Sequence, residues 1–272
     1  MATALPISTP SGVLWRSLTP TLTIYLRETK YEFLKYLRLP IYSISTILFP
    51  LMFYVLFGLL MNPHGTVGSL GVSTYLIATY GTFGIMGASL FANGVGVAAE
   101  RGLGWMQVKR ASPMPPFAYF AAKFAVSMIF GGIVLVLLLL LGTVFGGVHI
   151  PLAKAGTLVV TLTIGAIPFC ALGLVIGLVV GPNSAPAVVN TIYLPLSFAS
   201  GLWFPIEALP TFLQKLAVFL PPYHLAQMAL RIVGVSDGKA NSTHWQYLCG
   251  FTLVALGLAR VLFQREEGKM YG

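Results

Sequence analysis

Long apolar runs separated by short charged or proline-rich segments dominate the chain. A helix needs about 20 mainly apolar residues to cross the hydrocarbon core of a bilayer. Six runs have approximately this length: Ile41–Met61, Tyr75–Val97, Ala121–Gly147, Gly156–Val180, Ala187–Phe204 and Gln246–Phe263. Because these runs are continuously apolar and do not alternate, they exclude a transmembrane β-barrel. The pattern therefore predicts an all-α membrane protein with six transmembrane helices.

The segment Leu22–Arg38, before the first run, has the periodicity of an amphipathic helix. One face carries mostly apolar residues: Leu22, Tyr25, Leu26, Thr29, Phe33, Tyr36 and Leu37. The rest of the surface carries charged residues: Arg27, Glu28, Lys30, Glu32, Lys35 and Arg38. Such a helix lies in the headgroup layer with its apolar face toward lipid, and Pro40 marks its end. We expect an interfacial helix here, since the alternative, a solvated helix packed on another domain, has no obvious partner domain in this chain.

Two connecting segments have unusual sequences. Between the second and third runs, Glu100–Phe117 reads "ERGLGWMQVKRASPMPPF", in which charges precede three prolines. Proline stiffens a connection, so this segment is interpreted as a rigid bracket; a basic loop that only sets topology is the alternative. Between the fifth and sixth runs, Ser200–Gly234 contains apolar pieces too short to cross a membrane, broken by four prolines. This pattern predicts a re-entrant or interfacial helical segment.

Composition and charge support a membrane location. Hydrophobic residues make up 57% of the 272 residues and charged residues 8%, and the mean hydropathy is +0.85. A soluble domain has about 25% charged residues. The net charge of +9 lies at the ends of apolar runs, where it meets anionic headgroups, so we expect no nucleic-acid partner. Counting Lys and Arg on alternate sides of the runs favours a topology with both termini cytoplasmic.

Several kinds of functional site are missing from the sequence. The six runs contain no charged residue in their interiors, and Lys123 and Arg260 are close enough to the cytoplasmic ends for their side chains to reach the interface. An ion-coupled carrier is therefore not expected. No nucleotide-binding loop, catalytic set or metal-binding cluster is evident, and neither Cys170 and Cys249 nor the four histidines are assigned a role. Active transport by this chain would need energy from a partner.

Uncharged polar residues and glycines remain in the runs. Asn93 and Asn190 are of the type that contacts either another helix or a substrate, helix contact being the commoner use. Gly173, Gly177 and Gly181 recur every four residues, which predicts a helix face that another helix approaches closely.

Two motifs resemble those of the permease subunits of type-2 ATP-binding-cassette (ABC-2) exporters, and the likeness extends over nearly the whole chain. The first comprises Glu100, Arg101 and Gly104, followed by Ser112-Pro113, and is similar to the family's "E-R-E-x-G-T … S-P". Gly102 and Trp105 depart from that pattern. The second motif is similar to "S-G-x-x-F-P … L-P … P-x-x-Y … R" and comprises Ser200-Gly201, Phe204-Pro205, Leu209-Pro210, Pro221, Tyr223 and Arg231.

The resemblance implies a single permease domain over residues 1–272, with a tail and interfacial helix at 1–40, six spans at 41–263 and a cytoplasmic tail at 264–272. It implies a coupling helix between the second and third spans that docks on an ATPase subunit. The residues assigned to coupling are Glu100, Arg101, Gly104, Lys109, Arg110, Ser112 and Pro113. The substrate path, in which spans two and five face a partner permease, is assigned to Asn93, Asn190, Trp203 and Phe204.

The expected function is export of a hydrophobic or amphipathic compound, such as a drug or a lipid, across the plasma membrane of a bacterium. The implied partners are an ATP-binding-cassette ATPase, which binds ATP and Mg²⁺, and a second copy of this chain or a paralogue, surrounded by lipid. No catalytic residue, metal or cofactor is assigned to this chain. A polysaccharide or glycolipid permease of the same family, and a passive channel or scaffold without an ATPase, are the alternatives; a membrane-embedded enzyme is disfavoured because a site is missing.

Overall fold

The computed structural model describes residues 18–61, 65–106, 108 and 115–270. Apart from a hairpin of two short antiparallel strands, β1 (Thr66–Val67) and β2 (Leu70–Gly71), these residues are largely helical. The α-helices are α1 (Leu18–Leu37), α2 (Pro40–Phe53), α3 (Val72–Leu90), α4 (Gly96–Gly102), α5 (Pro116–Phe145), α6 (Leu152–Ile164), α7 (Ile167–Val179), α8 (Ala185–Ala199), α9 (Thr211–Ala217), α10 (Pro221–Val233) and α11 (Asn241–Met270). π-Helical turns extend α2 over Tyr54–Leu60 and join α3 to α4 over Phe91–Val95.

Five helical stretches among the described residues are long and apolar enough to cross a membrane. They are Tyr42–Leu60, Val72–Gly102, Phe117–Phe145, Leu152–Val179 and Asn241–Arg265. The pair α9 and α10 also passes this test when taken together, but the two helices are bent by 87°. The prediction of an all-α membrane protein is therefore confirmed, with five to six candidate spans.

The predicted fifth span is shorter than expected. Its helix, α8, ends at Ala199, so the prediction that helix continues to Phe204 is wrong. The chain turns at Gly201, whose φ of +72° favours glycine, and the Gly201 amide donates to the Phe198 carbonyl at 3.1 Å. The 15 residues of α8 extend about 22 Å, which is less than the roughly 30 Å of a hydrocarbon core.

α3 is the central helix of the bundle and is buried along most of its length. It packs against α2, α5, α7, α8 and α10, and its buried side chains form much of the main hydrophobic core. The rod that α3 forms with the π-helical turn and α4 meets α7 through the predicted glycine face. A Cβ on Gly177 would lie 2.7 Å from the Asn93 carbonyl oxygen, and one on Gly173 would lie 3.0 Å from the Asn93 Cβ. The close approach is confirmed at these two glycines, whereas Gly181 faces open space.

α1 is the predicted amphipathic helix, but its orientation differs in part from the prediction. Leu22 and Leu26 on the apolar face are exposed, as a lipid-facing surface requires. Tyr36 on the same face is buried, however, and so is Glu32 on the charged side. The expectation that the charged side is solvated is therefore wrong at Glu32, because α1 packs against α5 and contacts α2.

The segment 200–234 folds back on the bundle. After a 3-10 turn at Ile206–Ala208, α9 lies near the surface and α10 is buried against α3, α6 and α11. We call this end of the bundle, where His224 lies between Val218 and His244, the far end. The opposite end, where α4 ends and α5 begins, is the loop end. Whether the segment re-enters a membrane stays a prediction.

Candidate functional site

A large groove opens along one side of the bundle. Its volume is about 1260 Å³, above the 300–1,000 Å³ typical of pockets for drug-sized ligands. α1 and α2 form one wall, α8 forms the other, and the rod of α3 and α4 lies between them. The lining residues are Glu28, Tyr31, Glu32, Lys35, Tyr36, Arg38 and Leu39 from α1 and its end, Tyr42, Ser45, Thr46, Phe49 and Pro50 from α2, Gly87, Phe91, Val95, Gly96, Ala99, Glu100, Leu103 and Trp105 from the central rod and the residues after it, and Pro186, Asn190, Tyr193 and Leu194 from α8.

The groove is amphipathic along its length. Its charged lining residues all come from α1, the residue that follows it, or the end of α4, which places them at the loop end. Toward the middle of the bundle the lining is mainly aromatic and aliphatic, with Phe49, Phe91 and Leu194 among its residues. A molecule with a polar group at one end and an apolar body would match this distribution.

Beside the charged end of the groove lies what we call the buried ion cluster. It comprises three buried side chains, Glu32 from α1, Glu100 from α4 and Lys123 from α5, and the partly exposed Lys35 from α1. Lys123 is fully buried, and its Nζ lies 2.6 Å from Glu32 Oε1 and 3.0 Å from Glu100 Oε1. Lys35 Nζ lies 3.1 Å from Glu32 Oε1 and also pairs with Glu100. The cluster holds two carboxylates and two ammonium groups, so its formal charge is zero.

Two tyrosines complete the cluster. Tyr119 on α5 donates its hydroxyl to Glu100 Oε2 at 2.5 Å. Tyr36 on α1 donates to the Ala92 carbonyl at 2.7 Å. Burial, and then the nearby Glu32 carboxylate, raise the pKa of Tyr36 well above its ordinary value, so this hydroxyl stays protonated. Each buried carboxylate thus has several donors, which offset the cost of removing it from water.

The expectation that Lys123 reaches out to the interface is wrong. Lys123 lies one turn beyond Tyr119 along α5, on the side that faces α1 and α4 rather than solvent. Two carboxylates are within hydrogen-bonding distance there, and Tyr36 lies 3.4 Å from Nζ. Ion pairs with these carboxylates inside the protein take the place of water around the Lys123 ammonium group.

Of the residues assigned to coupling, the structure places Glu100 and Arg101 inside the fold. Glu100 belongs to the buried ion cluster. Arg101 Nη1 donates to the carbonyls of Gly177 at 2.7 Å and Val180 at 3.4 Å, at the end of α7. A cation at this position complements the negative end of the helix dipole. Both side chains therefore join α4 to its neighbours.

Gly104 ends α4 with a left-handed turn. Its φ is +72°, and its amide donates to the Arg101 carbonyl at 3.1 Å. Only glycine adopts this conformation without strain, which explains its place in the motif. The exposed apolar residues Leu103, Trp105 and Val108 follow α4. The other residues assigned to coupling, Lys109, Arg110, Ser112 and Pro113, lie outside the described residues.

The four residues assigned to the substrate path are separated in the structure. Asn190 lines the groove. Asn93 is buried in the bundle, where its Nδ2 donates to the Ser89 carbonyl at 2.8 Å and to Ser127 Oγ at 3.0 Å. Trp203 lies in an aromatic cluster and donates to Ser197 Oγ at 2.8 Å. Phe204 is partly exposed beside Phe198. The structure thus brings only Asn190 to the groove.

Sequence reasoning missed Glu32, Lys35, Lys123, Tyr36 and Tyr119 as members of one site. The pairs are 65 to 91 residues apart along the chain where they join α1 to α4 and α5. One signal was available: Lys123 stands in "FAYFAAKFAVS", with apolar residues on both sides. A lysine so placed needs an acidic partner or an interface, and Glu32 and Glu100 supply the partners.

Two comparisons with known proteins match most of this chain, and both point to a transport permease. The sequence pattern of a family described as "ABC-2 type transporter" matches residues 25–233. A Bacillus subtilis (strain 168) protein named "Putative transport permease YvfS" is 23% identical over 249 residues, which cover 90% of this chain and 99% of that protein. The range 25–233 begins within α1, includes the buried ion cluster and the groove, and ends at the last residue of α10.

Proposed function

The chain belongs to the ABC-2 type transporter family, and from this premise we propose that it is the transmembrane subunit of an ATP-driven exporter. It moves a hydrophobic or amphipathic compound outward across a bacterial plasma membrane. The energy comes from a separate ATP-binding-cassette subunit, which binds ATP and Mg²⁺. The chain works as a dimer with a second copy or a paralogue, and both of its termini are cytoplasmic.

The observation that carries this proposal is the amphipathic groove with the buried ion cluster at its charged end. The groove offers an apolar body between α2, the central rod and α8, and charges only near the loop end. A drug-like or lipid-like molecule matches this lining better than a long sugar chain, which would need polar and aromatic groups along the whole path. Polysaccharide export is therefore the weaker alternative.

The buried ion cluster supports a route by which the partner ATPase acts on the groove. Glu100 is at the end of α4 and Lys123 is near the start of α5, so both helices that flank residues 103–115 are tied to Glu32 of α1. Closure of the ATPase subunits would displace the segment 100–117, and the cluster would carry that displacement to α1, which lines the groove. The ATPase can shift this equilibrium only if its contacts with the segment differ between nucleotide states.

Direct contact with the ATPase is assigned to the exposed apolar residues Leu103, Trp105 and Val108 and to Lys109 and Arg110. Glu100 and Arg101 act as positioning residues, because their side chains are engaged within the chain. Charge reversal of Lys109 and Arg110 is expected to weaken copurification of the ATPase without lowering the Tm of the purified chain.

The test of the function is uptake of a panel of labelled hydrophobic compounds into inverted vesicles that contain this chain and its ATPase. Asn190→Trp would fill the groove from α8, whereas Thr191→Trp places the same ring on an exposed neighbouring position outside the groove lining. We expect ATP-dependent uptake that Asn190→Trp strongly reduces and Thr191→Trp preserves. Uptake without ATP or the ATPase would indicate a passive channel. Equal uptake in both variants would exclude this groove as the path.

A further inference from the structure

At the far end, two histidines that belong to different helices face each other. His224 is in the first turn of α10 and His244 is in the first turn of α11, and both are buried. Their Nδ1 atoms are 2.9 Å apart. His224 Nε2 lies 2.9 Å from the Val218 carbonyl oxygen, and His244 Nε2 lies 3.4 Å from Asp237 Oδ1. The residues of this histidine pair were assigned no role from the sequence.

The neighbours of the two rings restrict where protons are held. The Val218 carbonyl only accepts hydrogen bonds, so Nε2 of His224 carries a proton. The short distance between the Nδ1 atoms requires one proton between them, because two lone pairs or two N–H groups would repel. The Asp237 oxygen that faces Nε2 of His244 at 3.4 Å favours a proton on that nitrogen as well. The closed pair therefore holds at most one positive charge.

The geometry fits a shared proton and not a metal ion. The ring centroids are 5.2 Å apart, so both Nδ1 atoms lie close to the line that joins the rings. A metal ion on that line would need a bond of about 2.0 Å to each nitrogen and so a separation of about 4 Å between them. The observed separation is 2.9 Å. Within the described residues, no group of three or more His, Cys, Asp or Glu side chains is arranged to hold a metal ion.

The pair connects the bent segment to the last helix. Val218 follows α9, so His224 closes the bend between α9 and α10 on one side and binds α11 on the other. Tyr247 of α11 stacks on the His224 ring at 4.1 Å and donates its hydroxyl to the Phe219 carbonyl at 2.8 Å. Loss of the contact between the histidines would therefore release the bend from α11 in part.

We infer that the histidine pair is a proton-sensitive latch, which holds the bend between α9 and α10 on α11 and opens when both rings are protonated. Protonation of His224 Nδ1 removes the acceptor of the bond and places two cations against each other. The open state then binds one proton more than the closed state, so acid favours opening. Because the far end is the external side in the proposed topology, the latch would respond to external acid.

The other charged groups around the pair act in known directions. Asp237 stabilises the first positive charge, and its Oδ2 lies 3.4 Å from the Tyr223 hydroxyl. Lys239 is in the same loop as Asp237, and Arg231 is near the end of α10. Their positive charges oppose a second positive charge on the pair. Titratable groups also occur on the neighbouring helices, and in the described part of the chain they make no hydrogen bond or ion pair with either ring: Tyr75 and Tyr80 on α3, Lys154 on α6 and Lys215 on α9.

The test measures the distance between α9 and α11 by pulsed electron paramagnetic resonance. Cys249 is exposed on α11, Cys170 is buried, and Lys215→Cys adds a second label site on α9. The labelled chain is diluted into unlabelled chain in the complete complex with its ATPase, in nanodiscs. The pH is varied from about 8 to about 3, which brackets the ordinary histidine pKa and extends below the value of about 4 to which burial lowers the pKa of His224. We expect a single short distance at neutral pH and a longer or broader distribution in acid.

Three variants make the interpretation specific. Gln at position 224 can donate to Val218 and accept from His244 but does not titrate, so His224→Gln is expected to lose the response to acid. His224→Phe keeps the ring stack but no hydrogen bond, so it is expected to show the acid distribution at every pH. His149→Gln removes an exposed histidine outside the pair and should respond like the wild type.

An acid response that persists in His224→Gln, or a wild-type distribution that does not change with pH, would overturn the inference. The measurement needs no transport, so its failure is distinct from failure of the proposed function.

Discussion

Replacing Lys123 by Met tests the buried ion cluster most directly. Met has a similar length and no charge, so the change leaves Glu32 and Glu100 with Lys35 as their remaining ammonium partner. Breaking a buried ion pair by removing one partner costs about 3–5 kcal/mol, because the other charge stays buried. For a chain of this size, that loss corresponds to a Tm lower by roughly 10 °C.

Lys35→Met is the matched control, because the Lys35 side chain is 39% exposed whereas that of Lys123 is 0% exposed. An exposed pair contributes about 0–1 kcal/mol after screening by solvent, so Lys35→Met should lower the Tm by only a few degrees. The double variant Glu32→Gln/Lys123→Met removes one charge of each sign and should recover part of the loss. The assay is thermal unfolding of the purified chain in one detergent at one heating rate. Equal Tm values for Lys123→Met and Lys35→Met, or a double variant whose loss is the sum of the single losses, would refute this account of the cluster.

Two glycine substitutions test the contacts of the central rod. Gly177→Ala puts a Cβ within 3.0 Å of the backbone oxygens of Asn93 and Gly94, so it should lower the Tm by several degrees. Gly181 faces open space, so Gly181→Ala should leave the Tm unchanged. Equal effects of the two substitutions would show that the packing of α7 does not depend on this close approach. Gly104→Ala forces a side chain into a left-handed turn at a cost of about 1–2 kcal/mol, so we expect less ATPase to copurify with this variant than with Gly181→Ala, whose added Cβ meets no neighbouring atom. Full copurification of Gly104→Ala would contradict a rigid turn at the end of α4.

The helices were predictable from the sequence because a helix that crosses a bilayer must be apolar over about 20 consecutive residues. All of the six predicted runs except the fifth correspond to candidate spans in the structure, although the ends of these spans differ from the predicted ends by several residues. The fifth run failed at its end, where Ser200-Gly201 turns the chain although Leu202, Trp203 and Phe204 keep the sequence apolar. Apolar composition reports burial, and it does not distinguish a helix from a buried turn.

The candidate site was predictable only in part, because its contacts join distant segments. Glu100 and Arg101 were identified through a motif, but their partners Lys35, Lys123 and Gly177 depend on how the helices pack. The pairing of His224 with His244 likewise depends on the 87° bend between α9 and α10. Periodicity gives the faces of each helix and does not give the neighbour that each face meets.

The ion pairs of the buried ion cluster join α1, α4 and α5, and we expect these three helices to move together. Glu32, Glu100 and Lys123 come from three different helices, and Lys123 Nζ lies 2.6 Å from Glu32 Oε1 and 3.0 Å from Glu100 Oε1. Sliding one helix past the others would leave a buried charge without a partner, at a cost of about 3–5 kcal/mol. That cost is comparable to or larger than the few kcal/mol that separate the conformations of a switching protein. We therefore expect a displacement applied at the loop end to reach α1. Since α1 forms part of one wall of the groove, the width of the groove is expected to change with it.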